Sequence, residues 1–377
     1  MKLPINFSIK RTQRGVSLVE LMIGLVLGLI ASLAIFSITS TFETQRRTTG
    51  SGVDMQQNGL LALYSVEQDI GMAGFGLIDS TTTPGGMPCS RINAYSPASV
   101  YISAPVMLSS GSAGTDIITI NRLNSDTGGI VTGGQAAKLT ATLSAPGTVS
   151  VDSNAAINPN DFVLISQPGL DCTILKVTAT TSTNSMTVAY AGNAGGDTTQ
   201  TPGAFPNYTA GAVFVNLGPT VPSNTAGYTP SIFGTSDTNI NPRFSTTKYQ
   251  INSSYELIRS DDGGGSWNTV ASNIVSVAAQ YGVANPGSQS VSCWTDAVGN
   301  ACSGTNWASP STTEVKRIKA IRVAIVARSA QKTTCNNVAP IWFGGQIDIS
   351  GIADSACYRY KIYQTIIPVR NVIWGNL

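Results

Sequence analysis

Arg14-Gly15-Val16-Ser17-Leu18-Val19-Glu20, followed by eighteen uncharged residues from Leu21 to Ile38, is the stretch that decides the fold. Val16 to Ile38 is 23 residues with Glu20 as its single charge, and at ~1.5 Å per residue a helix of that length crosses the hydrocarbon of a bilayer. Lys10, Arg11 and Arg14 precede it, which holds the N-terminus in the cytoplasm and sends everything after Ile38 across the membrane. A carboxylate in hydrocarbon costs a few kcal/mol and has a partner or a job. Within one chain Glu20 has no partner in reach. Cleavage after Gly15 would free an α-amino group on Val16, and the Glu20 of one subunit could pair with that amine on a neighbour when helices pack side by side. The plainer alternative is a carboxylate near the helix end that protonates or reaches the headgroups. An ordinary secretory signal is a second reading, with Ser32 and Ala34 serving a signal peptidase and Ile35 as the mature N-terminus. Against it, the apolar run is longer than the usual signal core and Glu20 would interrupt it.

The chain of 377 residues is 42% hydrophobic and only 11% charged, enough to bury a sizeable core with a polar, uncharged surface of the kind secreted β-rich proteins carry. Lys2, Lys10, Arg11 and Arg14 account for four of its 22 basic residues, so from Val16 onward 18 basic groups face 20 acidic ones. That near-neutral balance gives no electrostatic footprint for nucleic acid. The sequence contains no histidine, which removes the commonest general base and metal ligand and with them histidine triads, most zinc chemistry and histidine pH switches. Cys89, Cys172, Cys293, Cys302, Cys335 and Cys357 all follow the apolar run, and none forms a C-x-x-C pair. An even number in an exported chain reads as three disulfides, with fifteen possible pairings. The sequence-local choice is Cys89 with Cys172, Cys293 with Cys302, and Cys335 with Cys357.

Past a polar stretch from Thr39 to Asn58, Leu60, Leu63, Tyr64 and Ile70 fall near one helical face. A helix from about Ser17 to Met72, loosened at Gly50 and Gly52, would be roughly 80 Å long, half in membrane or filament core and half packed on a globular head. Gly71, Gly74 and Gly76 stop it. From Thr81 to about Phe244, short β-like runs alternate with turn signals. Asp116–Ile120, Phe162–Ser166, Thr173–Thr178, Met186–Tyr190 and Ala212–Leu217 are the clearest strands, pointing to an all-β unit of sandwich or barrel type. In the last third Tyr255–Ser260 and Trp267–Val270 flank a hairpin turn at Asp261–Gly265. Ile274–Tyr281, Ile318–Arg328 and Tyr358–Val369 complete an antiparallel sheet, the middle one patterned for a single well-buried face. The expected fold is α+β: a leader at residues 1–15, a long helix at 16–75 with 16–38 in the membrane or filament core, a β-rich middle region at 76–245, and an antiparallel sheet region at 246–377.

Gly15 followed by Val16-Ser17-Leu18-Val19-Glu20 resembles the type III signal of type IV prepilins. The resemblance implies that a prepilin peptidase cuts between Gly15 and Val16, that Val16 becomes the N-methylated terminus, and that Glu20 is the assembly glutamate at the fifth mature position. Val16 departs from the family's usual phenylalanine or methionine. Gln57-Asn58-Gly59 to Asp69-Ile70-Gly71-Met72-Ala73-Gly74-Phe75 is similar to the helix end of the PilW family of minor pilins. Leu257-Ile258-Arg259, the glycine hairpin, Gln280-Tyr281-Gly282-Val283 and Ile367-Pro368-Val369-Arg370-Asn371 resemble the same family in the same order. The likeness implies a minor pilin that primes type IV pilus assembly and lies near the tip, supporting pilus biogenesis, twitching motility or adhesion. Its implied partners are other minor pilins, the major pilin, the prepilin peptidase and a tip adhesin. It would sit in the inner membrane with its head periplasmic, and then in the extracellular pilus. A minor pseudopilin of type II secretion and a secreted β-rich adhesin are the alternatives.

No G-x-S-x-G elbow or phosphate-binding G-x-x-x-x-G-K-[ST] loop occurs, so no enzyme, cofactor or metal is expected. The adjacent acids Asp261 and Asp262 read as a turn rather than a glycosidase pair. Asp152-Ser153-Asn154, Asn158-Pro159-Asn160-Asp161 and Asp237-Thr238-Asn239 offer hard oxygen ligands to calcium, but Asn and Asp are also the default turn residues. Trp294, Trp307 and Trp342 stand near cysteines, where they would cover local mini-cores or, exposed, form a partner surface.

Overall fold

The computed structural model describes residues 15, 17–75, 91–96, 98–102, 104–111, 115–123, 137–155, 157–167, 169–191, 201–218, 244–261, 264–333 and 335–374. Two compact units follow each other along the chain, one ending at Val53 and the other beginning at Asp54. The fold is α+β, a long N-terminal helix with a β-rich head. Helix α1 (Leu18–Gly71) has 54 residues and continues through Gly50 and Gly52 without a break. Ser32, Thr39, Thr41 and Thr44 each donate a hydroxyl hydrogen bond to the carbonyl four residues earlier, at 2.8–3.0 Å. Those bonds satisfy polar side chains on the helix itself, which matters where water is scarce. At the other end Gly74 takes a positive φ of 74°, and its N–H donates to the Asn121 carbonyl at 2.8 Å. A Cβ at this position would press on Pro105, so the chain leaves the helix through glycine.

After α1, β1 (Arg91–Tyr95) and β2 (Ala98–Ile102) form one antiparallel pair, β3 (Val106–Ser110) and β4 (Asp116–Leu123) another. Six strands then form a ring: β5 (Ala137–Lys138), β6 (Thr148–Ser150), β7 (Phe162–Ser166), β8 (Cys172–Ser182), β9 (Ser185–Tyr190) and β10 (Val213–Gly218). Antiparallel pairing runs β5-β10-β7-β8-β9-β6. The Leu139–Val151 bridge brings the ends together, with Thr140 N–H on Ser150 O and Asp152 N–H on Lys138 O, both at 2.9 Å. Of the two all-β forms the sequence allows, this region is thus a small barrel, and closure leaves these strands few free edges. Every second residue points inward: Val163 and Ile165, Leu175 and Val177, Met186 and Val188 share one core with Phe214 and Tyr208. β1 extends the sheet by a parallel pairing with β8.

The rest of the head is two further sheets. β11 (Phe244–Ile251), β12 (Glu256–Ser260) and β13 (Asn268–Ser272) join β4 and β3 in a five-stranded sheet. β14 (Ile274–Ala284), β15 (Val291–Thr295), β16 (Ile318–Arg328) and β19 (Tyr360–Pro368) form a four-stranded antiparallel sheet in the order β15-β14-β16-β19. Between β15 and β16 lies the short helix α2 (Thr312–Val315), and between β16 and β19 the two-residue strands β17 (Ile341–Trp342) and β18 (Gly345–Gln346); α3 (Arg370–Trp374) follows β19. Ala62, Val66 and Ile70, one turn apart on α1, enter a single core with Ile118, Tyr249, Val277, Tyr281, Val323, Ile325 and Tyr363. A Cβ at Gly59 would overlap the Tyr363 ring, so glycine lets helix and β19 approach closely.

β16 differs from expectation. It is buried on both faces, with Ile321, Val323 and Ile325 toward the helix-side core and Ala324 and Val326 in a second core with Ile347, Ile349 and Ile352. The physical reason is that the connection between β16 and β19 turns back over the outer face. Arg322 lies 4.9 Å from the Trp294 ring and 5.6 Å from that of Trp342. Arg328 lies 4.0 Å from Tyr255 and 4.5 Å from Tyr358. These cation–π contacts tie the connection to the middle of β16 through Trp342 and to its end through Tyr358.

Candidate assembly site

The N-terminal segment is built for an apolar environment. Leu21 N–H donates to the Ser17 carbonyl at 3.1 Å, which starts α1 and puts Glu20 in its first turn, where the helix dipole favours a negative charge. Gly15 is exposed, with open space where a Cβ would point. From Leu18 to Phe42 the large apolar side chains are 55% exposed or more, and the most apolar window of the helix has a mean hydropathy of 2.6 with none of it buried. A soluble surface does not leave a patch of that size in water. By length and composition this helix is able to cross a membrane. Among the described residues Glu20 has no cationic partner. Val16 lies outside the described residues, as does the rest of the leader before Gly15.

At its other end α1 is fixed by a cluster that sequence reasoning did not assemble. Asp69, 6% exposed, has Oδ1 3.2 Å from Arg122 Nη1 and Oδ2 3.0 Å from Arg259 Nε. The Tyr249 hydroxyl donates to Oδ2 at 2.6 Å and lies 3.2 Å from the Ser65 carbonyl. Burial, reinforced by the Asp69 charge, pushes that hydroxyl's pKa up, so it stays a donor. Arg259 also reaches Asp261 at 2.8 Å. One carboxylate therefore joins α1 to β4, β11 and β12. Asp69 and Arg259 both stand in segments resembling the PilW family, but only the fold brings Arg122 beside them.

Disulfides join Cys293 to Cys302 and Cys335 to Cys357. Cys172 is also disulfide-bonded; Cys89 lies outside the described residues. Trp307 is wholly buried in the core beside the Tyr281 ring, whereas Trp294 and Trp342 flank Arg322. The acids considered for calcium are occupied by the protein. Asp152 Oδ1 accepts from the backbone N–H of Lys138 and of Ser153, and buried Asp161 accepts from Asn158 N–H and Asn216 Nδ2. Asp237–Asn239 and Asp262 lie outside the described residues. Among the described residues no group of three or more Cys, Asp or Glu could hold a metal.

Comparison with known families matches this arrangement at both ends of the chain. The prokaryotic N-terminal methylation motif matches residues 10–36, which contain Gly15, Val16 and Glu20 and the start of α1. Such a motif and an apolar helix fit an inner-membrane-anchored protein of the type IV pilin class. The family described as Type IV Pilus-assembly protein W matches residues 235–371, which span β11 to the start of α3. The two matches together are consistent with a type IV pilin of the PilW family. No curated protein and no solved structure matches the chain.

Proposed function

We propose that this chain is a minor pilin that primes assembly of a type IV pilus and is incorporated near its tip. The observation that carries the reading is the presence on one chain of a methylation motif, an exposed apolar helix whose Glu20 has no cationic partner among the described residues, and a PilW match in the head. In this reading prepilin peptidase cuts between Gly15 and Val16, and Val16 is N-methylated. Glu20 then pairs with the α-amino group of a neighbouring pilin as the helix moves from lipid into the filament core. The pairing is favourable because opposite charges attract strongly where water is scarce, which offsets the loss of hydration, and an unpaired carboxylate there would cost several kcal/mol. Other minor pilins and the major pilin are the partners, the head is periplasmic before assembly and extracellular after it, and support of twitching motility or adhesion follows from filament formation.

Mass spectrometry of the protein purified from cells should give a mature chain beginning with methylated Val16. Glu20→Ala should leave that processing intact and reduce both co-purification with other pilins and the number of pili by an order of magnitude. A mature N-terminus at Ile35, or undiminished assembly of the Glu20→Ala protein, would refute the mechanism.

A further inference from the structure

The head contains a second feature that assembly through Glu20 does not use. Lys319 opens β16 at a bulge: Val283 is paired with Ile318 and Gly282 with Ala320, which leaves Lys319 between them. Its carbonyl accepts from Val369 N–H at 2.9 Å, so the backbone is pinned. The residue is only 3% exposed, yet its ammonium has no hydrogen bond or ion pair among the described residues. Burial alone lowers its pKa, with no carboxylate contributing. The stem is packed, while the ammonium itself keeps contact with the solvent of a cleft.

The surroundings indicate what that cleft can hold. Lys319 lines a cleft of ≈ 470 Å³ together with Lys316, Arg317, Thr313, Ser288 and Gly287. Among the described residues no acidic side chain lines it. Arg317 is already committed, donating to the carbonyls of Ala284, Cys302 and Ser303 at 2.7–3.0 Å, and so it shapes the wall beside the Cys293–Cys302 disulfide. The nearest acid in sequence, Glu314, turns away to cap its own helix, accepting from Ser311 and Thr305. Lys316 and Lys319 are left as two cations on a cleft with hydroxyl donors and no counter-charge. We propose that this cleft is a binding site for a compact oxyanion, a phosphoryl group or a carboxylate, with Lys319 as its buried contact and Lys316 at its rim. The site lies wholly within the head and does not depend on the pilin reading.

Thermal unfolding of the full-length protein in a neutral detergent tests it, with sodium phosphate or sodium acetate titrated against sodium chloride at constant ionic strength. Binding raises the melting temperature saturably, and at a hundredfold excess over Kd the gain is about 2.7 kcal/mol. Lys319→Met should abolish the shift while leaving the melting temperature without anion close to or above that of the parent, because methionine keeps the packed stem and removes only the charge. Lys316→Ala, an exposed change that does not threaten the fold, should raise the apparent Kd three- to tenfold. A response to phosphate alone identifies a phosphoryl ligand. A response to acetate as well identifies a carboxylate, the group a partner protein would offer. Failure of both salts to shift the parent, or an undiminished response in Lys319→Met, overturns the proposal. None of these outcomes bears on Glu20, so the site and the assembly mechanism stand or fall separately.

Discussion

At the scale of single residues the head is held by a few buried charges whose surroundings set their behaviour. Asp69 is surrounded by two guanidinium groups and a phenol, and those contacts offset its loss of water. Asp116 is the opposite case. Its carboxylate accepts from Ala279 N–H at 2.7 Å, tying β4 to β14, but no cation compensates it. Burial, with a further contribution from Asp296, raises its pKa from 3.8 to about 6. The folded protein therefore holds this proton more tightly than the unfolded chain, and between pH ~4 and ~6 the folded state binds more protons. Stability contributed here rises as pH falls through about 6 and is complete below the unfolded value. Asp116→Asn keeps an oxygen for Ala279 and removes the titration. The difference in unfolding free energy between parent and variant should thus shift by on the order of 2 kcal/mol in the parent's favour from pH 7 to pH 4. A difference that stays constant over that range would show that the group titrates normally.

At the scale of elements, what could be read from the sequence depended on whether the signal was local. α1 was legible almost to the residue, because an uncharged run and a following apolar stripe are both periodic and Gly71 and Gly74 end them. So were β7, β12 and β16, where β-branched runs are bounded by turn residues, and the two cysteine pairs nearest in sequence. Pairing across long distances was not legible. β4 lies against β11 with Thr246 bonded to Asn121, 125 residues away, and nothing in either strand names the other. The second buried face of β16 was missed for the same reason, since its cover comes from Ile347, Ile349 and Ile352 in a segment without strong periodicity. The Asp69 cluster depends on that same β4–β11 pairing. Gly59 gives the contact between α1 and β19 a direct test. Alanine normally stabilises a helix over glycine by ~1 kcal/mol, but here its methyl would meet the Tyr363 ring, so Gly59→Ala should instead destabilise by about 1–3 kcal/mol. With Tyr363→Leu in the background the same change should become neutral or stabilising. A double-mutant cycle with coupling below ~0.5 kcal/mol would mean that the ring moves aside freely.

For the whole molecule, the division after Val53 separates two kinds of surface. Each of the cores described above is built from Ala62 onward, and the apolar side chains from Leu18 to Phe42 add nothing to them because they remain exposed. The buried apolar cores and the exposed apolar run therefore lie in different parts of the sequence. Removing residues 1–53 should yield a protein that is soluble without detergent, since the apolar window goes with them. Its α1 would begin at Asp54, a carboxylate in the first turn, which suits a helix N-terminus. The remaining turns are held by Ala62, Val66, Asp69 and Ile70 rather than by propensity, as most helices in proteins are. The melting temperature of residues 54–377 should consequently fall within about 2 °C of the full chain in detergent, a difference of less than ~1.5 kcal/mol for a domain of this size. Calorimetry of both proteins decides the matter. A loss of ten degrees or more would mean that the membrane-proximal helix also supports the head. A fusion of the same segment, residues 1–53, to an unrelated soluble protein should carry that protein into the membrane fraction.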